Sequence, residues 1–204
     1  MSMFYTDIKP PEDRKIIPDP KKIVDDTFIK KVESYMKWQK VEDATIYDDD
    51  KECEVPDVRR SRIHWMDNPE FERVLVPIYK EVATKVREIN DMYWGYAING
   101  WQPFQYTEYD ESYKGHYNWH MDTGPKRAFE DQARKISFSL GLNDADEYEG
   151  GELELKLGTE DSDHLYKLSK GEVLVFPSYI LHKVTPVTKG FRKVIVGWGM
   201  GHRI

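Results

Sequence analysis

A single cysteine, Cys53, stands in 204 residues, so no intramolecular disulfide can form and a reducing compartment suits the chain. Long apolar runs are missing as well. Nothing approaches the ~18 apolar residues of a membrane-crossing helix, and the opening MSMFYTDIKPPEDRK has no continuous apolar segment of the secretory type. The expectation is a cytoplasmic protein without membrane contact. Positive charge is also scarce: 30 Lys and Arg face 37 Asp and Glu, a net charge of −7, whose field repels polyphosphates and argues against nucleic acid as a partner. The run Arg59, Arg60, Arg62 could bind an anion locally, although such clusters are more often solvated surface. Internal repeats and low-complexity tracts are absent too.

What is present is enough apolar and ring surface for a core: 39% hydrophobic and 13% aromatic residues against 33% charged. The length suits one domain spanning 1–204. Its first part, 1–20, carries Pro10, Pro11, Pro18 and Pro20 among charges, the composition of an extended arm. Residues 21–92 read as mainly helical support. Val24, Phe28, Val32, Tyr35 and Met36 keep helical spacing between about Pro20 and Trp38. A second helix follows Asn68-Pro69, with Phe71, Val74, Leu75, Ile78, Val82, Val86 and Ile89 in a 3, 4 rhythm to about Asn90. Pro77 should kink that helix or shift its start. Between the two lies an acidic loop, 48–54.

From 93 to 204 the chain turns β, rich in Tyr, Trp, Val and Ile in short alternating runs. Strands are expected near 95–101, 103–109, 115–122, 134–142, 151–157, 164–168, 172–177, 180–187 and 191–198. The class is α+β, mainly β, with helices on one side of a sandwich or rolled sheet.

Within GHYNWHMDTG, His120 and Asp122 are two apart, and on a strand such residues share a face. His182, far downstream after EVLVFPSYIL, could complete a set of two imidazoles and one carboxylate, the arrangement of non-haem Fe(II) oxygenases. HxD alone is a weak pattern. His64, His116, His164 and His202 lack a carboxylate in that position and are read as ordinary surface or core histidines. Arg192 lies ten residues after His182 and alternates with Val194, Val196 and Trp198 on one strand face. An inward guanidinium must meet a carboxylate, from the protein or from a ligand, because burying it unpaired costs several kcal/mol. If TKG at 188–190 is a hairpin loop, residue 186 opposes 192 and His182 lies roughly 13 Å away, a gap that suits a short dicarboxylate.

Taken together, QYTEYDESYKGHYNWHMDTG, EGGELEL and GEVLVFPSYILHKVTPVTKGFRKVIVGW resemble the prolyl 4-hydroxylase-like branch of the 2-oxoglutarate and Fe(II)-dependent dioxygenases, bacterial and phage forms above all. The resemblance is sharpest from 104 to 198. It implies a double-stranded β-helix (jelly roll, cupin-like) core with N-terminal helices in support. It also implies iron on His120, Asp122 and His182, the distal carboxylate of 2-oxoglutarate on Arg192, Tyr109 as a cosubstrate-binding tyrosine and Trp198 as an aromatic of that pocket. Tyr106 or Tyr113 could supply the tyrosine hydroxyl instead, and Ser139 or Gly141 stands where a relative places a tyrosine beside the arginine. O2 is the co-reactant, ascorbate a supporting reductant, and a prolyl residue in a protein or peptide the implied substrate. Two alternatives stay open: the same chemistry on a free amino acid, another small molecule or a nucleobase, and a catalytically silent metal-binding module.

Overall fold

The computed structural model describes residues 15–48, 51–53, 55–123, 131–158 and 163–202. Most of the expected N-terminal arm, 1–14, lies outside the described residues. Among the described residues sixteen strands run in chain order as Lys21–Lys22 (β1), Glu42–Asp43 (β2), Ile46–Asp48 (β3), Lys51–Cys53 (β4), Arg59–Arg60 (β5), Arg62–Trp65 (β6), Gly100–Trp101 (β7), Gln105–Asp110 (β8), His116–His120 (β9), Gln132–Gly141 (β10), Tyr148–Gly150 (β11), Leu153–Lys156 (β12), Asp163–Tyr166 (β13), Glu172–Pro177 (β14), Leu181–Val184 (β15) and Val187–His202 (β16). Two helices, Asp26–Met36 (α1) and Glu72–Tyr93 (α2), precede most of them.

The strands form a larger sheet ordered β1-β14-β10-β16-β8-β6-β2, with β7 and β11 also on β16, and a smaller sheet ordered β13-β12-β15-β9-β5. Side-chain alternation on the larger sheet decides where everything else sits. Ile136, Phe138, Leu140, Val173, Val175, Tyr106 and Ile195 form one face and join the buried apolar faces of α1 and α2 in a single core cluster. The helices dock there because Phe28, Val32 and Tyr35 on one, and Leu75, Ile78, Val82, Val86 and Ile89 on the other, recur at helical spacing. Each such side chain contributes about 1.5–3 kcal/mol when buried. Gly197 makes room on this face, since a Cβ there would come within 2.6 Å of the Phe138 ring. The other face, through Leu174, Phe176 and Val194, packs on Leu153, Leu155 and Val184 of the smaller sheet.

Several expectations need correction. Lys21–Lys22 pairs with β14 instead of beginning the first helix, which starts at Asp26 once the Asp25 carboxylate caps Phe28 N–H at 2.9 Å. The 48–54 stretch is not simply a loop, because Ile46–Asp48 pairs with Lys51–Cys53. The support region 21–92 contains six short strands, of which β2 and β6 extend the larger sheet and β5 the smaller. Pro77 lies inside α2 and does not shift its start, since a 3-10 turn, Pro69–Phe71, capped by Asn68, leads directly into Glu72. The strand expected at 95–101 shrinks to two residues, since the side chain of buried Asn90 hydrogen-bonds both Tyr96 N–H and Tyr96 C=O. Finally, TKG is no hairpin loop. Gly190, at φ +76, lies within β16 opposite Tyr148, and the chain between β15 and β16 crosses from the smaller sheet to the larger. His182 and Arg192 therefore sit on facing sheets rather than on one hairpin.

Candidate active site

Between the sheets lies a cavity of about 410 Å³ lined by His120, Asp122, His182, Arg192, Tyr109 and Trp198 among others. It exists because the inward residues of β10 are small: Ser137 and Ser139 alternate with the large residues that face the helices. All six residues singled out in the sequence are thus brought to one space.

His120 stands directly opposite His182 in the β9–β15 pair, with ring centroids 4.1 Å apart. Asp122 does not reach them by strand alternation, as β9 ends at His120. Its backbone N–H instead donates to Ser178 C=O at 2.9 Å, and Ser137 Oγ donates to its Oδ2 at 2.7 Å. The Asp122 carboxylate then lies 3.7 Å from His120 Nε2 and 3.5 Å from His182 Nε2. One ligand atom from each of the three residues lies within 4.8 Å of the others. Each imidazole is held by its other nitrogen: Nδ1 of His120 faces Asn118 C=O at 2.7 Å and Nδ1 of His182 faces Ile180 C=O at 2.8 Å. A carbonyl only accepts, so Nδ1 is the donor in each ring and Nε2 is left to face the carboxylate.

The electrostatics agree. Burial, with His182 alongside, pushes the His120 imidazole down to about 4, so it is neutral near pH 7. Burial would raise the Asp122 carboxyl, but His182, His120, Arg134 and the Trp198 indole outweigh it and hold it at about 2. Two imidazoles whose Nε2 atoms face one ionised carboxylate are a donor set for a divalent transition-metal ion with positions left open. Ser137, itself 2.9 Å from Ser178 Oγ, fixes the carboxylate. Ser137→Ala should weaken Fe(II) binding about tenfold, at the lower end of what removing such supporting contacts costs; chelator competition under anaerobic conditions would detect it, and unchanged affinity would remove Ser137 from this role.

At the other end of the cavity Arg192 is 2% exposed. One guanidinium nitrogen reaches Ser139 Oγ at 3.4 Å, and the other terminal nitrogen is buried with no hydrogen-bond partner. Among the described residues no carboxylate pairs with it. Tyr109 lies opposite it in the β8–β16 pair, with its ring 5.1 Å from the guanidinium carbon. Gly151, at φ +68, passes so close that a Cβ would come within 3.0 Å of Arg192 Cδ, which accounts for a glycine in EGGELEL.

This is the region that a family model recognises: residues 104–200 match the 2OG-Fe(II) oxygenase superfamily. A PKHD-type hydroxylase of Synechococcus sp. (strain CC9605) is 44% identical over 82 residues, 40% of this chain and 35% of that protein. A second PKHD-type hydroxylase, of Idiomarina loihiensis, is 37% identical over 83 residues, 41% of this chain and 36% of its own length. The matched stretch is thus about a third of these relatives' length. Among solved structures, a Pseudomonas putida prolyl-4-hydroxylase superposes with a TM-score of 0.67 at 18% identity, covering 93% of both chains. A prolyl hydroxylase in complex with a hypoxia inducible factor peptide fragment from Trichoplax adhaerens gives 0.68 at 18% identity, over 90% of this chain and 81% of that one. The two facing sheets accordingly share the double-stranded β-helix fold of these structures.

Within that fold the tyrosine alternatives separate. Tyr106 points to the helices and donates to Glu108, and Tyr113 donates to Glu108 C=O at 3.2 Å, so neither lines the cavity. Trp198 lies at the metal end rather than the arginine end: its indole hydrogen-bonds Asp122 and its ring stacks under Arg134 at 3.7 Å. Three residues escaped the sequence. Tyr148, from β11, interacts with the Arg192 guanidinium in the place expected for Ser139 or Gly141, and only the long-range pairing of β11 with β16 reveals it. Arg134 forms an ion pair with Asp122 at 3.9 Å. Arg59, from a cluster read as solvated surface more often than as an anion site, lines the cavity, whereas Arg60 and Arg62 turn outward to Pro56 C=O and Val41 C=O. The signal was the alternation of Arg59, Ile63 and Trp65, all on the cavity side.

Proposed function

We propose that this protein is an Fe(II)- and 2-oxoglutarate-dependent dioxygenase that hydroxylates a prolyl residue in a protein or peptide. The observation that carries the reading is the unpaired buried guanidinium of Arg192 in the same cavity as the His120, Asp122, His182 cluster. A buried cation without a counter-charge is costly, and a dicarboxylate removes the cost while reaching a metal at the far end. A silent metal-binding module has no use for such a residue.

In this assignment His120, Asp122 and His182 hold the iron, which when bound supplies O2 activation coupled to decarboxylation of 2-oxoglutarate to succinate and CO2. Arg192 offers its planar fork to the distal carboxylate, and Ser139 and Tyr148 fix the arginine. Tyr109 walls the cosubstrate on one side. The residues need no separate general base. Ascorbate serves to keep the iron ferrous, and a cytoplasmic setting, compatible with the lone cysteine, completes the proposal. Among the described residues no helix is long and apolar enough to cross a membrane. The prolyl substrate is supported by the names of the relatives, PKHD-type hydroxylases and prolyl hydroxylases, one of them solved with a peptide.

With Fe(II), ascorbate, O2 and 2-oxoglutarate, succinate release should rise several-fold on addition of proline-containing peptides, and the peptide should gain one oxygen on proline by mass spectrometry. Succinate without any response to a broad peptide set would remove the prolyl substrate. No succinate despite bound iron would remove the oxygenase.

A further inference from the structure

We propose that the prime substrate carries a carboxylate close to the atom that is oxidised, and that Arg59 binds it; this rests on the oxygenase reading above. The cavity is lined by three arginines, Arg59, Arg134 and Arg192, and by one carboxylate, Asp122. Asp122 is the ion-pair partner of Arg134, and Arg192 is committed to the cosubstrate. Arg59 is the cation left over.

Its surroundings hold it toward the cavity without neutralising it. Nε donates to Ser61 Oγ at 2.8 Å and one terminal nitrogen to Gln105 Oε1 at 2.9 Å, both neutral acceptors. The guanidinium lies 4.7 Å from the centre of the Tyr117 ring, and that ring stacks on His120 at 3.5 Å. Among the described residues no acidic group pairs with Arg59. A β-bulge in β9, where His182 and Val184 pair with His120 and Tyr117, puts Tyr117 and His120 on the same side despite their odd spacing. The result is a ladder of guanidinium, phenol and imidazole that ends at the candidate metal. A substrate group on Arg59 is therefore only one ring away from the ligand shell, close enough to set which neighbouring atom is presented.

In a chain of net charge −7, a half-buried arginine held between two neutral acceptors is a local feature and not overflow from a basic surface. The matching chemistry is a single carboxylate, which takes the planar fork that an ammonium site would not select. It has two sources: an acidic side chain beside the target residue, or the α-carboxylate of a C-terminal or free amino acid.

The test measures binding of fluorescent probes to the enzyme loaded with Fe(II) and 2-oxoglutarate under anaerobic conditions. One arm uses peptides with a central proline and a single Asp or Asn at each position from −3 to +3. The other uses peptides ending in proline, with free or amidated C-terminus. In one arm the charged probe should bind about tenfold or more tighter than its neutral twin, the scale of a charge-assisted hydrogen bond. In Arg59→Gln that ratio should fall to about 1. The shift in melting temperature on adding 2-oxoglutarate reports that the variant's cavity is folded. Equal affinity of charged and neutral probes in both arms, including no detectable binding of either, overturns the proposal, as does a ratio that survives in Arg59→Gln. Succinate formation by the wild-type enzyme is unaffected by that outcome, so the oxygenase reading fails or stands separately.

Discussion

Arg192→Ala is expected to weaken 2-oxoglutarate binding a hundredfold or more while Fe(II) binds at close to its original affinity. The size follows from removing one side of a buried charge pair, about 3–5 kcal/mol, with every 1.4 kcal/mol a factor of ten. Arg192→Lys should fall between, because an ammonium cannot reproduce the bidentate fork. Stability separates this from a packing defect. Without cosubstrate the buried guanidinium has an unpaired nitrogen, so the alanine variant should melt no more than a few degrees below wild type, and the rise in melting temperature that saturating 2-oxoglutarate gives wild type should vanish. Calorimetric titration measures the first effect and thermal scanning the second. Equal 2-oxoglutarate affinity in both proteins would place the anchor elsewhere.

Asp122→Ala should abolish measurable Fe(II) binding, and His120→Ala or His182→Ala should remove most of it. The aspartate is the most damaging because it supplies the only negative charge in the cluster and is also the acceptor for Ser137 and the ion-pair partner of Arg134. Its loss leaves buried donors unsatisfied as well as the metal unligated. Anaerobic titration with one equivalent of Fe(II) reads the outcome. Stoichiometric binding by any one variant would exclude that residue as a ligand. Zn(II), Ni(II) or Mn(II) in an aerobic preparation would not, since affinity order alone does not select iron.

The inward run of Arg192, Val194, Val196 and Trp198 was legible because β16 is long and its alternation is unbroken. The helical faces were legible for the same reason: Val82 and Val86 are part of a repeat that persists over many turns. What failed was short or long-range. The pairs Glu42–Asp43 and Arg59–Arg60 are strands only because β6 and β9 are beside them, and two residues carry no periodicity. TKG has the composition of a hairpin loop, yet Gly190 takes its positive φ to pair with β11, a partner remote in sequence. Asp122 was expected beside His120 through strand alternation, whereas its place is set by Ser178 and Ser137. Motif residues can be read singly, but the contacts that support them belong to the assembled sheets.

A cavity positive inside a negative molecule has a kinetic consequence. A dianion approaching from bulk solvent meets repulsion first and attraction only near the mouth, and salt does not weaken the two equally. At an ionic strength of 0.1 M the screening length is about 10 Å, enough to mute the distant surface charges while leaving short contacts inside the low-dielectric cleft largely intact. Capture of 2-oxoglutarate should therefore quicken on going from very low to moderate ionic strength and slow only beyond it. Enzymes steered by a surface of uniformly favourable sign decline from the start.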